Sequence, residues 1–484
     1  MKQEDTSIKI GARAFITAAA IILGLMIFSG ILTRIMPAGE YERIDSEGRV
    51  LVLDGTYREI ERPAYPVWRW FTAPAEVLFG PDNLTLIVLV LFIIIVGGAI
   101  TILDQAGVMK AMINFLVARF AKRKYALIVV MILFFMVAAG FIGIFEEMIP
   151  LIIFIIPVAI SLGWDSLTGL GMSLLPLAFG FAAAVTNPFT IGVAQKIANL
   201  PLFSGAPLRL MFFTVIFLLV CFFVIRHAKK VERDPKRSIS YKEDEALRSR
   251  LHGAGIQELS AGISKGKLRA LIWFGSCIVI AMLFVLITAR MPISTYAFPI
   301  MTILFLIGGI GGGAFSGLKP GKIGAAFGKG MLNFIPGIVL ILMAYSVKHI
   351  ITRGMIMDTI LYHAAELISR SPPMAASFLV YAVTLAMEFF IGSASAKAFL
   401  MMPILTPLAD LVGITRQTVV LAFDFGDGFC NVIFPTNALL LIALSFTVIS
   451  YPKWMRWTWK LQLIILGITS IFLAVAVKIG YGPF

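Results

Sequence analysis

Apolar runs of about twenty residues recur along this chain, the length that a ~30 Å hydrocarbon layer demands of a helix. They predict full spans at residues 15–36, 84–103, 166–200, 207–226, 271–288, 296–315, 332–350, 417–449 and 461–477. Two more apolar stretches, 126–163 and 376–413, are broken by polar residues at their centres and predict re-entrant hairpins. The first is interrupted over residues 140–147; the second tips at Gly392-Ser393-Ala394-Ser395-Ala396-Lys397. An amphipathic helix precedes each hairpin, at 108–124 and 355–370. Within the polar loop 40–82, residues 49–54 with Val50, Val52 and the pair Asp54-Gly55 predict a small β-hairpin. The fold class expected is an all-α polytopic membrane protein, with nine spans plus two re-entrant hairpins in two inverted-topology repeats.

The repeat rests on register. Thr186-Asn187 and Thr436-Asn437 stand 250 residues apart (436 − 186), each in an apolar stretch. The same ungapped offset aligns Pro157 with Pro407, Ala159 with Ala409, Gly163 with Gly413, Thr168 with Thr418 and Phe179 with Phe429. In hydrocarbon every backbone N–H and C=O needs a partner, so a helix interrupted at depth survives only inside protein or beside a water-filled cavity. Thr186-Asn187-Pro188 and Phe434-Pro435-Thr436-Asn437 are such interruptions. Each exposes carbonyls and a helix N-terminus, able to hold a cation and a carboxylate respectively.

Composition fixes the class. Of 484 residues 59% are hydrophobic and 14% charged, with mean hydropathy +0.93, too little polar surface for a soluble domain. The net charge of +14 suggests nucleic acid only until the basic residues are located: they lie in short loops beside spans, where membrane orientation explains them. Loop 40–82 has nine acids, five arginines and no lysine, whereas 229–269 has eleven Lys/Arg against six acids. The expected placement is therefore a cell inner membrane, N-terminus cytoplasmic, loop 40–82 outside, loop 229–269 cytoplasmic and C-terminus external. Trp68 and Trp70 are expected in an interfacial aromatic belt. The units are 1–228, a first repeat; 229–269, a basic loop; 270–295, a linking span; and 296–484, the second, inverted repeat. Cys221, Cys277 and Cys430 lie in or beside apolar segments and suggest neither disulfides nor zinc.

Charged residues at depth carry the functional reading, because each costs at least a few kcal/mol. Glu146 and Glu147 occupy the first hairpin tip. At the 250 offset their mates are Ala396 and Lys397 (146 + 250 and 147 + 250). A zwitterionic solute would place a cationic group on Glu146/Glu147 and its carboxylate near Lys397, Ser393 and Ser395. The bland alternative is a Glu–Lys ion pair closing the two tips. Asp424 and Asp427, three apart and on one helical face, could exchange a proton or bind a coupling Na⁺; capping or pairing with Lys397 or Arg416 is the structural alternative. Asn431 is a lining candidate, and Thr186, Asn187, Thr436 and Asn437 complete the expected binding set. Glu388 and Asp410 sit nearer hairpin ends and rank lower.

The residues Gly-Ile-Phe-Glu-Glu-Met-Ile-Pro around Glu146, Thr186-Asn187-Pro188, and Gly-Ser-Ala-Ser-Ala-Lys-Ala followed by Pro-Thr-Asn resemble the YfcC branch of the DcuC-type carriers, over nearly the whole chain apart from 229–269. That family belongs to the ion transporter superfamily with the AbgT and INDY-type carriers. The resemblance implies a homodimer, a scaffold, and a mobile transport domain of hairpins and broken helices moving as an elevator. It also implies anaerobic dicarboxylate carriage or, for this branch, basic amino acids. INDY-type carriers mark sodium sites with Ser-Asn-Thr at both tips; this sequence has that triplet at neither, so Na⁺, H⁺ or exchange stays open. The reading is a secondary active transporter of a small carboxylate-bearing solute, an amino acid before a four-carbon dicarboxylate because the first tip is acidic, with the lipid bilayer and a second copy as partners and no cofactor. An ion channel is the different-class alternative, although channels line one pore with polar rings. No Ser–His pair or metal cluster stands at depth, so an enzyme is not expected.

Overall fold

The computed structural model describes residues 12–46, 49–80, 83–245, 247–249, 264–288 and 296–482. The N-terminal residues 1–11, expected on the cytoplasmic side, and residues 246 and 250–263 of the basic loop lie outside the described residues. Among these, nine helices are long and apolar enough to cross a membrane, and the fold is all-α and polytopic. The count agrees with expectation but its membership differs. Two of the nine, Lys124–Ile142 and Ala394–Val412, are arms of the predicted hairpins. In exchange, the segment ending at Phe315 falls among the shorter apolar helices, and the 417–449 crossing is split into pieces too short to qualify.

Helices α1 (Ala12–Ile35), α2 (Arg69–Glu76), α3 (Asn83–Gln105) and α4 (Val108–Phe120) open the chain. The first hairpin descends in α5 (Lys124–Val137), turns through Gly143 and residues 144–151, and returns in α6 (Ile152–Ser161). Its two ends meet: the Tyr125 and Trp164 rings are 6.0 Å apart, so the segment comes back to the side it left. A polar residue then restarts the chain, Asp165 accepting from the Thr168 N–H at 2.8 Å as N-cap of α7 (Ser166–Ala183). Every residue of α7 is buried, which makes it the axis of the molecule. After a break comes α8 (Val193–Ile197), and α9 (Ala206–Arg233) closes the first half.

The second half runs α10 (Lys265–Thr288), α11 (Ala297–Phe315), α12 (Pro320–Arg353) and α13 (Met357–Ser369). Its hairpin arms are α14 (Pro373–Glu388) and α15 (Ala394–Val412), and α13 lies against both. The broken segment is α16 (Arg416–Gly428) and α17 (Ala438–Ser445), followed by α18 (Tyr451–Lys478). Helices α1, α3, α10, α11 and α12 pack on one another as one group. The hairpins and broken helices pack with α9 and α18 as another, meeting the first where α17 lies on α12.

Contacts near the two membrane faces separate cleanly. On one face, the base of the first hairpin is strapped by residues 238–245 and 247–248: the Ser238 hydroxyl donates to Asp165 at 2.6 Å, and Arg248 donates to the Trp164 carbonyl at 3.1 Å. His227 joins them. Trp457 donates its indole N–H to His227 Nδ1 at 3.1 Å, leaving Nε2–H to face Asp165 at 2.9 Å. On the other face, loop 39–60 is tied to α13: Asp358 accepts from the Tyr41 N–H at 2.9 Å and from Arg43 at 2.8 Å, and Tyr57 stacks on Tyr362. The predicted β-hairpin is there with a wider frame. Strand Arg49–Val52 pairs antiparallel with Arg43–Ser46, and the Asp54-Gly55 turn, with Gly55 at φ +75°, brings Arg58–Glu59 beside Gly39–Glu40. Trp70 departs from expectation. It is buried on Gly30 of α1, where a Cβ would come within 2.3 Å of the indole, so only Trp68 faces outward.

Candidate functional site

Both breaks are built the same way. In the first, Asn187 Oδ1 accepts from the N–H groups of Phe189 (2.8 Å) and Thr190 (3.3 Å), capping the resumed helix. In the second, Asn437 Oδ1 accepts from Leu439 (2.9 Å) and Leu440 (3.3 Å). An apolar residue at either place would leave those N–H groups unpaired at depth, so the Thr-Asn register has a physical cause. The Asn187 amide donates to the carbonyl of Ala139 at 3.4 Å, and Thr186 donates to that of Phe141 at 2.9 Å. The Asn437 amide donates to Asn431 Oδ1 at 2.7 Å and to Glu388 Oε1 at 3.2 Å. Ala139 and Glu388 are themselves 249 apart (388 − 139), so a backbone carbonyl in one half is answered by a carboxylate in the other.

The hairpin tips meet at these breaks. Gly143, at φ +83°, has no room for a side chain: a Cβ would lie 2.5 Å from Asn187 Oδ1. Gly392 sits beside Asn437 in the other half, its Cβ direction 3.8 Å from the amide nitrogen. The tips also cross over. Residues 146–151 of the first lie against α17, and the Ser395 hydroxyl of the second donates to the Phe189 carbonyl at 2.8 Å. Ser393 is the N-cap of α15. At the centre the halves touch directly, with Phe179 and Phe429 5.6 Å apart and Gly428 pressed on Ala182.

The charges are arranged differently from expectation. Lys397 does not meet Glu146 or Glu147, so neither the predicted tip-to-tip ion pair nor a free ammonium for a solute carboxylate is present. Its side chain is fully buried; it pairs with Glu388 across its own hairpin and with Asp427 at 2.7 Å. Glu388, ranked low from sequence, is therefore central. The hairpin brings it there: 388 lies four before Gly392 and 397 four after Ser393 (392 − 388, 397 − 393). Asn431 donates to the carbonyls of Asp427 (3.3 Å) and Gly428 (3.0 Å), which supports the end of α16 rather than lining a path. Asp410 pairs with Arg416 at the periphery, at 2.6 Å, and plays no part at the breaks.

Asp424 and Asp427 do share a buried helix face, yet their surroundings diverge. Asp427 has the Lys397 ammonium. No well-formed hydrogen bond reaches either oxygen of Asp424; the Thr190 hydroxyl, itself without another partner, is the donor close to it. Glu146 and Glu147 are half-buried at the first tip, with Glu147 Oε2 unpartnered, as is the Thr436 hydroxyl at the second break. Sequence reasoning missed Arg209. Set in the first turn of an apolar helix, it reads as an interfacial anchor; in the structure it is fully buried and donates to the carbonyls of Ala184, Val185, Phe203 and Ser204 and to the Tyr481 hydroxyl. Those first two carbonyls are the loose end of α7, freed where the helix stops at Ala184 with φ +31°. A cavity of about 340 Å³ lies elsewhere, between Tyr65, Arg69 and the end of α12.

The chain is 27% identical over 407 residues to the Escherichia coli (strain K12) protein named "Putative basic amino acid antiporter YfcC", covering 82% of this chain and 79% of that one. It is 25% identical over 429 residues to an uncharacterized protein of Haemophilus influenzae, covering 89% and 82%. Among solved structures, Neisseria gonorrhoeae MtrF, described as illuminating a class of antimetabolite efflux pumps, aligns over 95% of each chain with 15% identity and a TM-score of 0.43. The Alcanivorax borkumensis YdaH transporter aligns over 97% of this chain and 99% of its own, with 18% identity and a TM-score of 0.39. The family model described as "DcuC: C4-dicarboxylate anaerobic carrier" matches residues 16–478, and the chain accordingly belongs to that family: it is a multi-pass membrane transporter, not an enzyme.

Proposed function

We propose that the protein is a secondary carrier of small amino acids with a cationic side chain, working by exchange in a cell inner membrane. The observation that carries this reading is the surplus of acid around the breaks. Glu146, Glu147, Glu388, Asp424 and Asp427 lie around the breaks, and among the described residues the cations set with them are Lys397, paired with Glu388 and Asp427, and Arg209, near Asp424: a formal excess of three negative charges (5 − 2). A buried carboxylate persists only with a proton or a cation beside it, so the arrangement recruits cationic groups and repels a dianion. With Lys397 occupied by two acids and the first N–H groups of α17 capped by Asn437, the solute carboxylate falls to the unpartnered Thr436 hydroxyl.

Movement follows the two packing groups. Helices α1, α3, α10, α11 and α12 serve as scaffold, in a homodimer, and the group of hairpins and broken helices slides against them to face each side in turn. In this reading the halves are inverted repeats, and the strapped base of the first hairpin faces the cytoplasm, where the positive-inside rule puts the basic loop. Counterflow in proteoliposomes tests the substrate class. Preloaded L-arginine or L-lysine is expected to drive uptake of the labelled amino acid; exchange of a four-carbon dicarboxylate, with no amino acid moved, would replace this reading with the one the family description suggests.

A further inference from the structure

Two aspartates one turn apart on α16 have opposite fates, and the contrast assigns a function to one of them. Asp427 is held by an ion pair: its Oδ1 accepts from Lys397 at 2.7 Å, within the set that also holds Glu388, while its Oδ2 has no partner. Asp424 is buried to 0% exposure and both its oxygens are unpartnered. The charged and titratable groups facing it are Arg209 from α9, Asp427 from its own helix and Tyr481 from the end of α18, with the Thr190 hydroxyl from the first break. Neither Arg209 nor Tyr481 donates a hydrogen bond to it, and the Thr190 hydroxyl, which has no other partner, stands within reach of its carboxyl.

Arg209 is the informative neighbour. Its five N–H groups are all committed, Nε to Ala184, one terminal nitrogen to Ser204 and Tyr481, the other to Val185 and Phe203, at 2.8 to 3.3 Å. A guanidinium beside an ionised carboxylate at depth would form the pair, because charge-assisted bonds are about twice as strong as neutral ones. Arg209 binds carbonyls instead, which is the arrangement of a site whose acid carries a proton.

Resting on the carrier reading above, we infer that Asp424 is the proton-coupling group, with Arg209 as the group that compensates its negative charge once the proton has left. In the loaded state the carboxyl keeps its O–H bond and Arg209 holds the end of α7. When that bond breaks, the proton leaves to water on the open side and the carboxylate remains. Arg209 turns one N–H to it and gives up the Ala184 or Val185 carbonyl. Ala184 stands at φ +31°, a conformation that a non-glycine residue keeps only under constraint. Release therefore reshapes the first break, where Asn187 and the tip of the second hairpin sit. The proton and the solute are linked through one arginine, and Asp427 takes no part in the exchange.

The test uses the full-length protein in proteoliposomes, with labelled L-lysine and a pH gradient of one unit. One proton exchanged per solute lets the wild type concentrate L-lysine about tenfold under that gradient. Asp424→Asn is expected to lose that accumulation, and its residual L-lysine exchange to stop varying with pH. Infrared difference spectra supply a readout independent of the solute: a protonated-carboxyl C=O band that titrates in the wild type, shifts in Asp424→Glu and is missing from Asp424→Asn. Accumulation of L-lysine by Asp424→Asn overturns the inference and leaves the carrier reading standing. If Asp424→Asn does not fold, a band at the same position in Asp424→Glu and wild type overturns it instead. A wild type that moves dicarboxylates alone overturns the carrier reading, and the infrared band then decides Asp424 separately.

Discussion

At Lys397 an ammonium lies between two carboxylates with none of its side chain facing water, and the energetics of that cluster are one-sided. Removing one partner of a buried ion pair leaves a charge with no compensation, at a cost of about 3–5 kcal/mol. Lys397→Met is accordingly expected to lower stability by about that amount in thermal or denaturant unfolding in detergent. Adding Glu388→Gln should restore part of it, since one stranded acid is then gone. A single variant as stable as the wild type would remove the cluster from any structural role. This pairing was within reach of the sequence, because folding the second hairpin about Gly392-Ser393 places 388 opposite 397. The 250-residue offset pointed instead to Glu147, and an offset in register says nothing of proximity. Arg209 was less accessible: nothing in an apolar helix start says that its side chain turns inward to the carbonyls of another segment.

Elements join through their ends here, and the strap at the base of the first hairpin is a densely bonded joint. Asp165 lies at the hairpin base, ahead of α7. Burial works against its carboxylate, but His227 beside it and hydrogen bonds from Ser238 and Thr168 hold it down to about 2, from 3.8. A group depressed on folding stabilises the native state above its unfolded value and loses that contribution as pH falls through the folded one. Protection of residues 238–245 against hydrogen exchange should therefore persist to about pH 4 and fail towards about pH 2. Asp165→Asn should exchange faster in that segment already at neutral pH; unchanged protection would mean that the strap is held by Asp244, Arg248 and Lys453 alone. The helices, both breaks and both hairpins were legible in hydropathy and in the Thr-Asn pairs, since capping and burial leave marks in local sequence. The strap was not: it lies in a polar loop whose serines and acids look like solvated surface until a histidine 62 residues from Asp165 is brought to them.

Over the whole molecule, the consequential boundary is the one between the two packing groups. Phe334 of α12 and Phe446 at the end of α17 face each other across it, with ring centres 5.3 Å apart. If one group slides against the other, that contact must break in every cycle. Cysteines at both positions, with Cys221, Cys277 and Cys430 replaced by alanine, should let a short cleavable thiol crosslinker arrest counterflow, and reduction should restore it. Full-rate transport in the crosslinked protein would rule out sliding at this boundary. The sequence pattern gave the order of the spans, but which spans form which group depends on contacts such as Gly97 on Phe334 and Gly309 on Ala99, and glycine in an apolar run marks close approach without naming the neighbour.

The Ser395 hydroxyl, resting on the Phe189 carbonyl of the opposite half, makes leakage costly. A tip that withdrew with no solute present would strand that carbonyl in apolar surroundings, a penalty of about 1–3 kcal/mol, which makes the empty opening roughly 5- to 150-fold rarer. An incoming ammonium carries N–H donors that can take the hydroxyl's place. If the carrier moves cationic amino acids as proposed, a solute that bonds this carbonyl on arrival removes the penalty that keeps the empty tip closed.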